Sequence, residues 1–117
     1  MKTFTTSLAA IIFALSILTS CGPAAQDIDI TELKEPCDFA DAMLTVANEI
    51  IELTGGDKNK RPHDLDEEDE EKMRALWKKG DVIRKWAKFL EIDYDDINEC
   101  PSMKKLDKLQ EEGKVDM

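Results

Sequence analysis

Six consecutive acids, Asp66, Glu67, Glu68, Asp69, Glu70 and Glu71, are the densest block of potential chemistry in this chain. Hard cations such as calcium take carboxylate oxygens at alternating positions, but a calcium loop starting at Asp64 would need glycine where Asp69 stands and glutamate where Ala75 stands. The run has another use. Acids complement the positive end of a helix, and Glu68 with Lys72 and Glu70 with Arg74 are spaced to pair along one helical face. The single histidine, His63, stands in the polar stretch "DKNKRPHD" beside Asp64 and reads as a solvated loop residue. No nucleophile elbow, phosphate loop or metal-ligand cluster is present, so the reading is of a protein that is not an enzyme and has no cofactor.

The three cysteines carry the other chemistry. Cys21 closes the run "SLAAIIFALSILTSCG", whose apolar part is shorter than the roughly 20 residues that a spanning helix needs. With Lys2 before it and Thr19 and Ser20 after it, the run has the layout of a cleaved secretory signal. Leu18-Thr19-Ser20-Cys21 resembles the lipobox of bacterial lipoproteins over residues 1–22. That resemblance implies cleavage before Cys21, a diacylglyceryl group on its sulfur, acylation of the new amine, and membrane anchorage in the cell envelope without a span. Gly22 is not the aspartate associated with inner-membrane retention, which leans towards the outer membrane. In such a compartment Cys37 and Cys100 are expected to form a disulfide. Neither belongs to a C-x-x-C.

The elements that would position these residues follow from periodicity. Residues 1–20 read as the signal and 21–36 as a lipidated N-terminus and extended linker, in which "DIDIT" hints at a strand but has no partner. Phe39, Met43, Val46, Ile50 and Leu53 recur at helical spacing, with Pro36 suited to the first turn and Gly55-Gly56 to the end. In the next segment Met73, Leu76 and Trp77 cluster about one direction, while Val82, Ile83, Trp86, Phe89 and Leu90 centre on another. A straight helix would point the two tryptophans in opposite directions, so the pattern predicts a kink or break at Gly80-Asp81, with helices over 66–79 and 82–91. A short helix after Asp93 carrying Ile97, and a last one opened by Pro101, complete the domain over 37–112, with a flexible 113–117. The fold class is all-α: a small bundle built on an antiparallel helical hairpin and braced by one disulfide.

Trp86 and Phe89 are expected in the core. Trp77 and the acids from Asp66 to Glu71 are the expected partner-binding residues. The stretch "VIRKWAKFLEIDYDDI" resembles the helix-turn-helix of bacterial repressors, but departs from it where Glu91 replaces the usual glycine. Its would-be recognition helix is acidic, against nucleic-acid binding. Removing residues 1–20 takes away only Lys2 among the charged groups, moving the formal charge from −10 to −11. The functional expectation is a membrane-tethered interaction module meeting a basic envelope protein. The alternatives are a ligand- or cation-binding lipoprotein, or an inhibitor or immunity-type protein acting on a basic partner.

Overall fold

The computed structural model describes residues 24–117, which form four α-helices and three single 3-10 turns, with no strand among them. Cys21, the signal sequence and the lipobox lie outside the described residues.

The first helix, α1, spans Pro36–Thr54. Pro36 opens it with φ already set for a helix, and the Asp38 carboxylate accepts from the backbone N–H groups of Lys34 and Glu35 at 3.2 and 3.0 Å. Gly55 closes it at φ 68°, with the Gly56 N–H reaching back to the Ile51 carbonyl, a left-handed turn that only glycine adopts without cost. Phe39, Ala40, Met43, Val46, Ala47 and Ile50 are buried along it. So wide an apolar face fits a helix that packs against every other helix of the bundle.

The second helix, α2, runs unbroken from Glu67 to Phe89. This corrects the expectation of two helices, over 66–79 and 82–91, separated at Gly80-Asp81. Its buried residues are Met73, Leu76, Gly80, Ile83 and Ala87, alternating steps of three and four that form a straight seam. The seam passes through Gly80 and Ala87, which an apolar count barely weighs, and leaves out Phe89 and Leu90, which it weighs heavily. Gly80 therefore lies inside the helix, facing Val46. Trp77 and Trp86, nine residues apart, do point to opposite flanks. Trp86 is half-buried and stacks on Phe89 with ring centroids 5.2 Å apart, but Phe89 is 73% exposed, contrary to its expected place in the core.

Helix α2 ends through Glu91, whose φ of 60° is left-handed, while the Ile92 N–H bonds back to the Ala87 carbonyl at 3.0 Å. A glutamate thus adopts the conformation that glycine supplies in such turns. The short α3, Tyr94–Asn98, is capped by Asp93 and buries Ile97. Helix α4, Pro101–Glu111, buries Leu106. Cys37 and Cys100 are disulfide-bonded, with Cα atoms 5.4 Å apart, joining the start of α1 to the start of α4. Ser102 hydrogen-bonds the Asp41 carboxylate beside that link.

Both ends of the described chain dock on this bundle. Instead of an extended linker, residues 25–33 form a strap with two 3-10 turns, Ala25–Asp27 and Ile30–Glu32. Ala25 is fully buried, and Ile28, Ile30 and Leu33 pack against the core. The alternation in "DIDIT" is used by turns, because Asp29 accepts from the Thr31 N–H at 3.0 Å and its hydroxyl at 2.6 Å, a local bond that competes with a strand. The last residues are not a loose tail either. Val115 is 2% exposed, Met117 packs on the core, and the Lys58 N–H donates to the Gly113 carbonyl.

Candidate functional site

Helix α2 positions every expected partner-binding residue. Asp66 is its N-cap, the carboxylate accepting from the Asp69 N–H at 2.9 Å, which satisfies one of the unpaired donors of the first turn. The two anticipated pairs are present: Lys72 with Glu68 and Arg74 with Glu70, each at 3.5 Å and open to solvent. Such exposed pairs stabilise a helix by about 0.3–0.5 kcal/mol, so local helix stability is a small part of what the run could do. Asp66, Glu67, Glu68 and Glu71 remain exposed, and Asp69 and Glu70 are half-buried. Among the described residues no group of three or more His, Cys, Asp or Glu side chains is arranged to hold a metal ion. His63 is exposed, 3.5 Å from Asp64.

Trp77 stands about two turns beyond the run on the same helix, but it opens onto a different environment. It is 39% exposed and lines a groove of about 370 Å³ with Ile50 of α1, Arg61 of the loop between α1 and α2, Leu76, Gly80 and Arg84 of α2, and the terminal Asp116 and Met117. A neighbouring hollow shares Arg61, Trp77 and Asp116 and adds Lys58, Lys60 and Lys114 with Asp57. The start of the helix is therefore acidic, whereas the charged side chains around Trp77 are cations in excess over acids. Sequence reasoning missed this grouping. Trp77, Gly80 and Arg84 follow helical spacing, but Arg61 and Met117 reach the groove only through tertiary packing.

The opposite flank of α2 holds the N-terminal strap. Lys79 Nζ donates to the Ile28 carbonyl at 2.5 Å and Trp86 Nε1 to the Leu33 carbonyl at 3.2 Å, while the Ala25 N–H donates to the Glu49 carboxylate on α1. Asp29, within the strap, has its carboxyl held below the usual value of 3.8, chiefly by the Thr31 hydroxyl, then by the Thr31 N–H, with the Lys79 charge adding to the effect. The strap begins to dock four residues after Cys21. Four residues of fully extended chain reach no more than about 14 Å.

Comparison with protein-family models, with curated proteins and with solved structures finds no match to this chain. None of its described helices is long and apolar enough to cross a membrane.

Proposed function

We propose that the chain is a small acidic lipoprotein of the bacterial envelope, anchored through lipid on Cys21, whose helical domain binds another envelope protein with a basic surface. The observation that carries the reading is the acidic start of α2. Asp66, Glu67, Glu68 and Glu71 are exposed together on a rigid helix, beyond what capping and two weak pairs require. A single-sign patch of this kind steers an oppositely charged partner and speeds association. The Cys37–Cys100 disulfide supports an oxidising compartment, in agreement with export. The reading of the framework as an antiparallel hairpin of α1 and α2 is supported by two hollows, one shared by Phe39 and Met43 with Ile83 and one by Ile50 and Thr54 with Met73. Because the strap docks so near Cys21, the anchor would hold this domain close against the lipid surface.

The test is crosslinking in intact cells with the lipidated protein, followed by a salt series on the captured partner. The expected result is one recurrent envelope protein whose binding falls as the Debye length shrinks from about 10 Å at 0.1 M salt to 3 Å at 1 M, and falls again when Asp66 to Glu71 are neutralised. Binding indifferent to both changes discards the electrostatic reading. An unlipidated chain with a mature N-terminus elsewhere than Cys21 discards the anchor.

A further inference from the structure

The groove beside Trp77 combines features that the acidic-patch reading does not use. Its walls come from α1, the loop before α2, α2 itself and the C-terminal segment, so it is a product of the fold and not of one helix. Ile50, Leu76 and Met117 supply apolar surface. Gly80 leaves the α2 wall low, since a Cβ built there would meet nothing closer than 3.8 Å. At about 370 Å³, the groove falls within the size range of small-molecule sites, and its exposed lining is more polar than apolar.

Its charged side chains are two arginines and one acid. Arg61 and Arg84 line it with Asp116, beside the terminal residue Met117, and among the described residues neither guanidinium forms a salt bridge within 4.0 Å, while the Asp64 carboxylate accepts from the Arg61 backbone N–H at 2.9 Å. In a chain with 26 acidic residues against 16 basic ones, two guanidinium groups without a salt-bridge partner are where an outside anion would be held. The adjoining hollow adds Lys58, Lys60 and Lys114 against Asp57, Lys114 being 3.5 Å from Glu112. Guanidinium presents a planar fork of donors that matches a carboxylate, and it is weakly hydrated enough to work beside apolar surface. The half-exposed Trp77 indole offers such a ligand a broad apolar contact.

We propose that this groove binds a small organic carboxylate with an aromatic or branched apolar body, the carboxylate held by Arg61 and Arg84 and the body against Trp77, Ile50 and Leu76. The site lies apart from the acidic start of α2, takes a ligand of opposite sign, and does not depend on how the chain is anchored.

The experiment uses the full chain labelled with nitrogen-15, the two indole N–H resonances being assigned with Trp77→Phe, and three probes that share one body: 3-phenylpropionate, 3-phenylpropanol and 3-phenylpropylammonium. The expected result is a saturable shift of the Trp77 indole, not that of Trp86, with 3-phenylpropionate. The neutral and cationic probes should bind about tenfold more weakly or worse, as loss of a charged hydrogen-bonded group predicts. Arg61→Gln and Arg84→Gln should each weaken 3-phenylpropionate by a similar factor, while Lys88→Gln, elsewhere on α2, leaves it unchanged. Both arginines are exposed, and an unchanged far-ultraviolet dichroism spectrum checks that each variant is folded. Equal binding of all three probes, indifference to both arginine variants, or no saturation up to about 10 mM overturns the proposal.

Discussion

Gly80 on α2 faces Val46 on α1 at a separation that has room for a methyl group: a Cβ built on the glycine would lie 3.8 Å from Val46 Cγ1, with Arg84 Nη1 and Met117 Cε next, both at 3.9 Å. That is ordinary van der Waals distance. Gly80 is helical and buried, so replacing it with alanine should remove a helix-propensity deficit without forcing the helices apart. Gly80→Ala is expected to raise the unfolding free energy by about 0.5–1 kcal/mol, measured by denaturant unfolding. Gly80→Leu should instead overpack the contact and cost about 1–3 kcal/mol. A glycine serving as a left-handed cap would give the opposite sign for alanine.

Glu91 holds φ at 60° in the turn between α2 and α3, and a non-glycine residue there costs on the order of 1 kcal/mol or more. Glycine would relieve this while giving back part of the gain through its freer unfolded chain. Glu91→Gly should therefore stabilise the fold by about 0.5–1 kcal/mol, and Glu91→Val should destabilise it. A thermal unfolding series ranking Gly above Glu above Val is the expected order.

The Cys37–Cys100 link closes a loop with a sequence separation of 63. On the chain-entropy estimate it contributes about 4 kcal/mol, a large share of the stability expected of a small domain. Chemical denaturation with and without reductant should show a loss of that order. The double replacement Cys37→Ser with Cys100→Ser should reproduce it, and a change below about 1 kcal/mol would remove the link from the account of stability.

Asp29 gives the strap an acid limit. Its carboxyl is held below 3.8 by the Thr31 hydroxyl, the Thr31 N–H and the Lys79 charge. A depressed carboxyl stabilises the folded state above its unfolded value, and the contribution is lost as pH falls through the folded value. The contribution of Asp29 to this turn should accordingly be present from neutral pH down to 3.8 and be lost below it. Observed by NMR, the Asp29 titration midpoint should lie below 3.8 in the native chain and move back towards it in Thr31→Ala.

Much of the framework was legible locally. Pro36, Gly55, Asp66, Asp93, Pro101 and Gly113 mark helix starts and stops because caps and left-handed turns act over a few residues of backbone. The acidic residues from Asp66 to Glu71 were legible as a helix start for the same reason. The disulfide was legible as the one pairing left by the expectation that Cys21 carries lipid. The groove beside Trp77 was not, because Arg61, Arg84 and Met117 converge only when the loop, α2 and the C-terminal segment pack together.

By itself, then, the sequence determined the helical class, the helix starts and stops at Pro36, Gly55, Asp66, Asp93 and Pro101, and the pair of cysteines expected to join. Tertiary structure alone decided that α2 continues through Gly80, that its two tryptophans serve opposite flanks, and that Phe89 stays out while Ala87 goes in. It also decided that residues 25–33 and Val115 dock on the bundle. The physical reason is that caps are local, whereas burial is set by what arrives from elsewhere in the chain. A small residue is chosen for a helical seam because the facing helix needs the space, and a large aromatic is left in solvent when no neighbour comes to cover it.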